Sequence, residues 1–161
     1  MSCLVLSLRA GEVLLINGAR IRFRTGARFE LSTHARFVFG KQVMSPEEAN
    51  TPARRFYFAL QTAHVGAAEE RVSGLETARA LAPVLKAAAD SASIRDAVDS
   101  GIAAAEADDG FGALRLARLL VRSEAALLSG KACESNLGLE TTAKTAVPNS
   151  EAAPRTTSVG A

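Results

Sequence analysis

The sequence predicts an α+β protein: a small N-terminal antiparallel β-sheet or barrel, followed by a C-terminal group of helices and a disordered tail. Three observations lead there. Up to Gly40, short runs that alternate apolar and charged residues are broken by tight-turn residues. Two helix-start signals then stand back to back at Ser45-Pro46 and Thr51-Pro52, and apolar residues recur at helical spacing from there to Leu128. From Ser129 onward Thr, Ala, Ser, Pro and Gly dominate, with few large apolar side chains to bury. The expected units are 1–44, a basic strand-rich sheet, 45–128, helices packing on or beside it, and 129–161, the tail.

Leu4–Leu8 is the first expected strand, ending at Arg9-Ala10-Gly11. Glu12–Ile16 and Ala19–Phe23 flank Asn17-Gly18, a dipeptide suited to a type I′ turn because both central residues must take positive φ. Within the second run Ile21 and Phe23 alternate with Arg20, Arg22 and Arg24, which predicts one apolar face and one face of arginines. Thr25-Gly26 turns into Ala27–Leu31, Thr33-His34 turns again, and Arg36–Phe39 ends at Gly40. Roughly 40 residues bury little core alone, so helices or a second copy of the sheet must cover its apolar face.

Ser45 and Glu48 are spaced for a capping box with Pro46 at the first helical position. Thr51-Pro52 repeats the cap, and the residue before a proline is driven out of the α region. One turn of helix, a break and a new helix should follow, with Phe56, Leu60 and Ala63 facing the core. That helix should end near Gly66. Ala67–Asp90 continues with Val72, Leu75, Ala78, Leu81 and Leu85 on one stripe and Pro83 placed to kink or divide it. Ser93–Ala107 is a weaker helix interrupted by Gly101. Gly110 and Gly112 mark a turn before Ala113–Leu128, whose Arg115, Arg118 and Arg122 form an outer basic face.

The net charge of +2 is unevenly spread. Residues 1–65 hold nine Arg/Lys against four Asp/Glu, whereas residues 66–128 hold seven against ten. The N-terminal part is therefore suited to a polyanion and the helical part is not. Eight of those nine cations are arginine, the side chain for planar, bidentate contact with phosphate or carboxylate. Cys3 and Cys133 make neither a metal spacing nor a disulfide framework, which fits a reducing cytoplasm. No export signal and no run long enough to span a membrane is read, so a soluble cytoplasmic protein is expected.

Catalytic signatures are absent from the sequence. His34 and His64 have no Cys or carboxylate at ligand spacing, and no phosphate-cradling glycine loop, G-x-S-x-G or H-E-x-x-H occurs. Glu47-Glu48 reads as helix capping and not as an acid/base pair. Neither an enzyme nor a cofactor is expected.

Three segments carry a resemblance: Leu8-Arg9-Ala10-Gly11-Glu12, Ile16-Asn17-Gly18-Ala19, and Pro46-Glu47-Glu48-Ala49-Asn50-Thr51-Pro52-Ala53-Arg54-Arg55-Phe56-Tyr57-Phe58. Together they resemble the FlbT family of alphaproteobacterial flagellar regulators, departing at Ala10, where the family usually has proline, and at Ser45, where glutamine is common. The resemblance implies post-transcriptional repression of flagellin: association with the 5′ untranslated region of flagellin mRNA and promotion of its decay, opposite a partner protein, FlaF. The cadence of Arg9-Ala10-Gly11-Glu12 and Ile16-Asn17-Gly18 is also similar to CsrA, a β-rich mRNA-binding dimer, which suggests a homodimer by analogy. On this reading RNA would lie over Arg20, Arg22 and Arg24, with Arg28, Arg36, Arg54 and Arg55 at the margins. The rival expectation is a protein-interaction module that binds flagellin or FlaF and affects mRNA only indirectly.

Overall fold

The structure is a computed structural model that describes residues 4–137, with side-chain surroundings through Gly130. The described residues fall into two units, divided between Leu127 and Leu128. In the second, the described residues run as helix to Leu137. Most of the expected tail, 138–161, lies outside the described residues, as does the backbone placement of Cys3. Residues 129–137 continue the preceding helix because Lys131, Ala132 and Glu134 are good helix formers and a single glycine, Gly130, is tolerated.

Five short strands come first: β1 (Leu4–Leu8), β2 (Val13–Ile16), β3 (Ala19–Arg22), β4 (Ala27–Leu31) and β5 (Phe37–Phe39). They form two small antiparallel sheets, one of β1 and β4, the other ordered β3-β2-β5. The Asn17-Gly18 turn takes positive φ at both residues, 47° and 85°, and pairs Val13 with Arg22 through Ile16 with Ala19. Asn17 also reaches sideways. Its backbone N–H donates to the Arg36 carbonyl at 2.9 Å, and its Oδ1 accepts from the Arg36 N–H at 3.0 Å, which holds the start of β5 beside the turn. Gly18 is needed twice over, for its φ and because a Cβ there would lie 3.0 Å from the Ala67 nitrogen.

The register keeps the expected alternation within β3, Arg20 and Arg22 on one face and Ile21 on the other, but the arginine face also carries apolar residues from the neighbouring strands. Arg22 pairs with Val13 and Arg20 with Leu15, so both arginines share a face with Leu15 and Val38, the face that meets the helices. Ile21 lies on the other face and stays 41% exposed. All of β3 is exposed, because the pairing leaves it as an edge strand beyond the reach of the helical core.

After a 3-10 turn at Gly40–Gln42, the junction follows the sequence closely. A second 3-10 turn, Pro46–Glu48, is capped by the Glu48 carboxylate, which accepts from the Ser45 N–H at 2.7 Å. The chain breaks, and helix α1 (Pro52–Val65) starts with Thr51 Oγ1 accepting from the Arg54 N–H at 3.3 Å. Helices α2 (Ala68–Ala88), α3 (Ala92–Glu106) and α4 (Gly110–Leu137) complete the order. Phe56, Leu60, Val98 and Leu114 lie at the centre of the core, and Val38 is its fully buried strand member.

Three helical expectations change. Pro83 does not divide α2; it lies on the exposed side, where water can take up the carbonyl that loses its donor. Val72 is 61% exposed, because α2 packs on α1 through Gly74, Ala78, Ala82 and Leu85. Gly74 sets that rotation: a Cβ would come within 2.7 Å of the Ala59 carbonyl oxygen and the Ala63 nitrogen of α1. Gly110-Phe111-Gly112 is the first turn of α4 and not a loop before it, capped by Asp109 Oδ1 accepting from the Gly112 N–H at 2.9 Å.

Candidate nucleic-acid interface

The seven arginines proposed from sequence fall into three groups. Arg20 and Arg22 stand on the exposed edge strand β3, with Arg24 in the bend that follows. Arg28 lies on β4 opposite Ser7, in the other sheet. All four are exposed and none is in an ion pair among the described residues. Arg20 also favours the ionised form of Glu47, though less than the hydrogen bonds within that turn do; Glu47 is held below its ordinary value first by a backbone N–H and next by the Ser45 hydroxyl.

Arg36 has another task. Its guanidinium forms a two-pronged ion pair with Asp108, Nη1 to Oδ1 at 2.6 Å and Nη2 to Oδ2 at 2.7 Å. The pair ties the start of β5 to the turn between α3 and α4, and its charge is already matched. Arg54 is half-buried with Nη1 near the Glu48 carbonyl, while Arg55, one position on, points into solvent. The arginines thus divide into an exposed strand set, the ion-paired Arg36, and the junction pair Arg54 and Arg55.

The junction itself is fastened by residues that sequence reasoning passed over. Gln61, 2% exposed, donates from Nε2 to the Met44 carbonyl at 2.9 Å and accepts at Oε1 from the Met44 N–H at 2.8 Å. Both polar ends of a buried amide are satisfied, and the segment after β5 is pinned to α1. The Tyr57 hydroxyl donates to the Gln42 carbonyl at 2.6 Å. Glu124 of α4 accepts from the Thr51 hydroxyl and, at 3.3 Å, from the Ala53 N–H, so it caps α1 from across the fold. The only sequence signal for these roles was polar residues standing among apolar ones.

The expected outer basic face of α4 is also rearranged. Arg115 and Arg122 are exposed, but Arg118 is half-buried, with its Cζ 5.9 Å from the centre of the Tyr57 ring and its Nη2 donating to the Tyr57 hydroxyl at 3.3 Å. The turn of α4 toward α1 that buries Leu114 and Ala117 carries Arg118 inward with them. His64 is buried against Phe111, ring centres 5.1 Å apart, and its Nε2 has no hydrogen-bond partner among the described residues. Burial, with help from Arg36, holds its imidazole below the ordinary value.

Among the described residues no group of three His, Cys, Asp or Glu could hold a metal ion. Also among them, no helix is long and apolar enough to cross a membrane.

The family model for flagellar protein FlbT matches residues 4–128, which takes in both the strands and the helices. The chain belongs to the FlbT family. Among its relatives, a probable flagellum biosynthesis repressor protein FlbT from Chelativorans sp. (strain BNC1) is 36% identical over 61 residues, covering 38% of this chain and 42% of the relative. One of the same name from Allorhizobium ampelinum is 38% identical over 60 residues, covering 37% and 40%. Another from Brucella ovis is 36% identical over 76 residues, covering 47% and 50%. The chain therefore matches half or less of the length of each of these relatives. No solved structure matches this FlbT-family chain.

Proposed function

We propose that this FlbT-family chain represses flagellin synthesis after transcription, by binding the 5′ untranslated region of flagellin mRNA and either blocking ribosome entry or exposing the message to cytoplasmic nucleases. The names of the relatives, probable flagellum biosynthesis repressor protein FlbT, support the repressor part. The observation that carries the RNA part is the set Arg20, Arg22, Arg24, Arg28 and Arg55, exposed and outside any ion pair among the described residues. Exposed guanidinium groups can track a phosphate backbone and stack on unpaired bases. Arg36 contributes to this reading only by holding the fold, since Asp108 occupies it.

The test is binding of the purified chain to a flagellin 5′ leader and to a scrambled RNA across a salt series. Leader-selective binding with a steep salt slope is expected. Replacing Arg20, Arg22 and Arg24 together by Ala should weaken binding and flatten the slope by roughly 0.7 for each phosphate no longer neutralised. A folded triple variant with unchanged affinity and slope would remove the strand arginines from the site. A second reading, a module that binds flagellin, FlaF or a second copy of itself, is favoured by one observation: Leu4, Val5 and Ile21 stand 41–45% exposed on β1 and β3. Capture of flagellin or FlaF without leader binding would select it.

A further inference from the structure

We propose that the pocket between the segment after β5 and helices α1 and α4 binds one nucleotide unit, a nucleoside phosphate that is either free or part of an RNA strand. The pocket has a volume of about 270 Å3, close to the lower end of small-molecule sites at roughly 300 Å3. Four cations converge on it from three places in the chain: Lys41, Arg54 in the first turn of α1, and Arg118 and Arg122 one turn apart on α4. None of the four is in an ion pair among the described residues. The one carboxylate on the wall, Glu48, is already committed to capping the Ser45 N–H. Glu48 keeps its negative charge and interacts with Arg54, so it offsets one of the four; the others gather like charge at a cost that an entering anion would relieve.

The cations are also prepared for an oxyanion. Arg118 lies near the Tyr57 ring and donates to its hydroxyl, and Tyr57 is itself fixed to the Gln42 carbonyl at 2.6 Å. A guanidinium held in this way loses little freedom on forming a two-pronged contact with phosphate. Apart from Gln42 and Tyr57, the remaining wall is apolar, made by Val43, Met44 and Val121, which pack against the core. A bare oxyanion would leave that surface in water, whereas a nucleotide can place its base or ribose there and its phosphate on the arginines. The pocket includes Arg54 but none of the exposed strand arginines that carry the RNA reading, so the two can be tested separately.

The experiment is calorimetric titration of the full chain, at fixed ionic strength, with adenosine and uridine 5′-monophosphates, the corresponding nucleosides and inorganic phosphate. A monophosphate should bind more tightly than either its nucleoside or phosphate alone. Arg122→Ala, an exposed position that puts the fold at no risk, should weaken it roughly tenfold or more, as should Arg118→Lys, which keeps the charge and loses the planar fork. Arg115→Ala removes the same charge from the same helix outside the pocket and should leave binding as it was.

Three results would overturn the proposal: no binding of either monophosphate, phosphate binding as tightly as nucleotide, or Arg115→Ala weakening binding as much as Arg122→Ala. Competition identifies the source. If saturating monophosphate displaces the leader RNA, the pocket takes a residue of the strand; if the leader remains bound, it takes a free nucleotide. A variant with Arg20, Arg22 and Arg24 replaced should keep its monophosphate binding whatever happens to the leader, so the two readings can fail separately.

Discussion

Phe56 and Ile21 are both large apolar residues at regular spacing in well-formed elements, yet Phe56 is fully buried and Ile21 is 41% exposed. The contrast extends to the regions that hold them. In residues 52–127 the helices press together through small residues, Gly74, Ala78 and Gly101 among them, and enclose Phe56, Leu60, Val98 and Leu114. Among the described residues of the strand region, burial is limited to Leu6, Leu8, Leu14 and Val38, and β3 has no buried residue. A helix pair needs only one shared stripe to close a core, whereas sheets of two and three strands leave most of their edges and faces open. One region therefore supplies most of the buried core, and the other supplies exposed arginines and apolar residues.

The largest test of that comparison is Phe56→Ala, expected to cost about 3–5 kcal/mol of unfolding free energy, read from urea midpoints. A loss below about 1 kcal/mol would mean the helical core is looser than its burial suggests. Next is Gly74→Ala. The added methyl has nowhere to go between two helix backbones, and a loss of roughly 1–3 kcal/mol is expected, opposite in sign to the gain that alanine gives in an open helix. If Gly74→Ala stabilises the chain, α1 and α2 do not approach as closely as described.

A smaller effect concerns pH. Burial of His64 and the neighbouring Arg36 guanidinium hold its imidazole below 6.5, against the opposing pull of Asp108 and of a backbone hydrogen bond at Phe37. The unfolded chain then takes up a proton at a pH where the folded chain does not. Stability from this group is complete above that ordinary value and falls as pH drops below it. His64→Gln should reduce the stability difference between about pH 7.5 and about pH 5.5, measured by denaturation at the two values. An unchanged difference would show that His64 accepts its proton without strain.

The smallest effect is expected in the strand region, where Ile21→Ala should change monomer stability by no more than about 0.5 kcal/mol. A loss that grows with protein concentration would instead mean that a second copy covers β3, and would sharpen the comparison into one between an intramolecular and an intermolecular core.

What could be read from the sequence was local. The Asn17-Gly18 turn, the Glu48 cap on Ser45 and the Thr51-Pro52 helix start each depend on groups within a few residues, and all three stand as expected. The α+β order and the helical core followed from period, since apolar spacing decides which element can bury a face. The same segments held the resemblance that the family match over residues 4–128 later bore out. What only the tertiary structure decided involves partners far along the chain. Arg36 is matched by Asp108, Gln61 by the backbone of Met44, Arg118 by Tyr57 and Thr51 by Glu124. No local spacing encodes such pairs, because they exist only once α1, α3 and α4 have docked. Docking also set which arginines stay exposed and which line a pocket, because packing and not local spacing decides where each side chain ends.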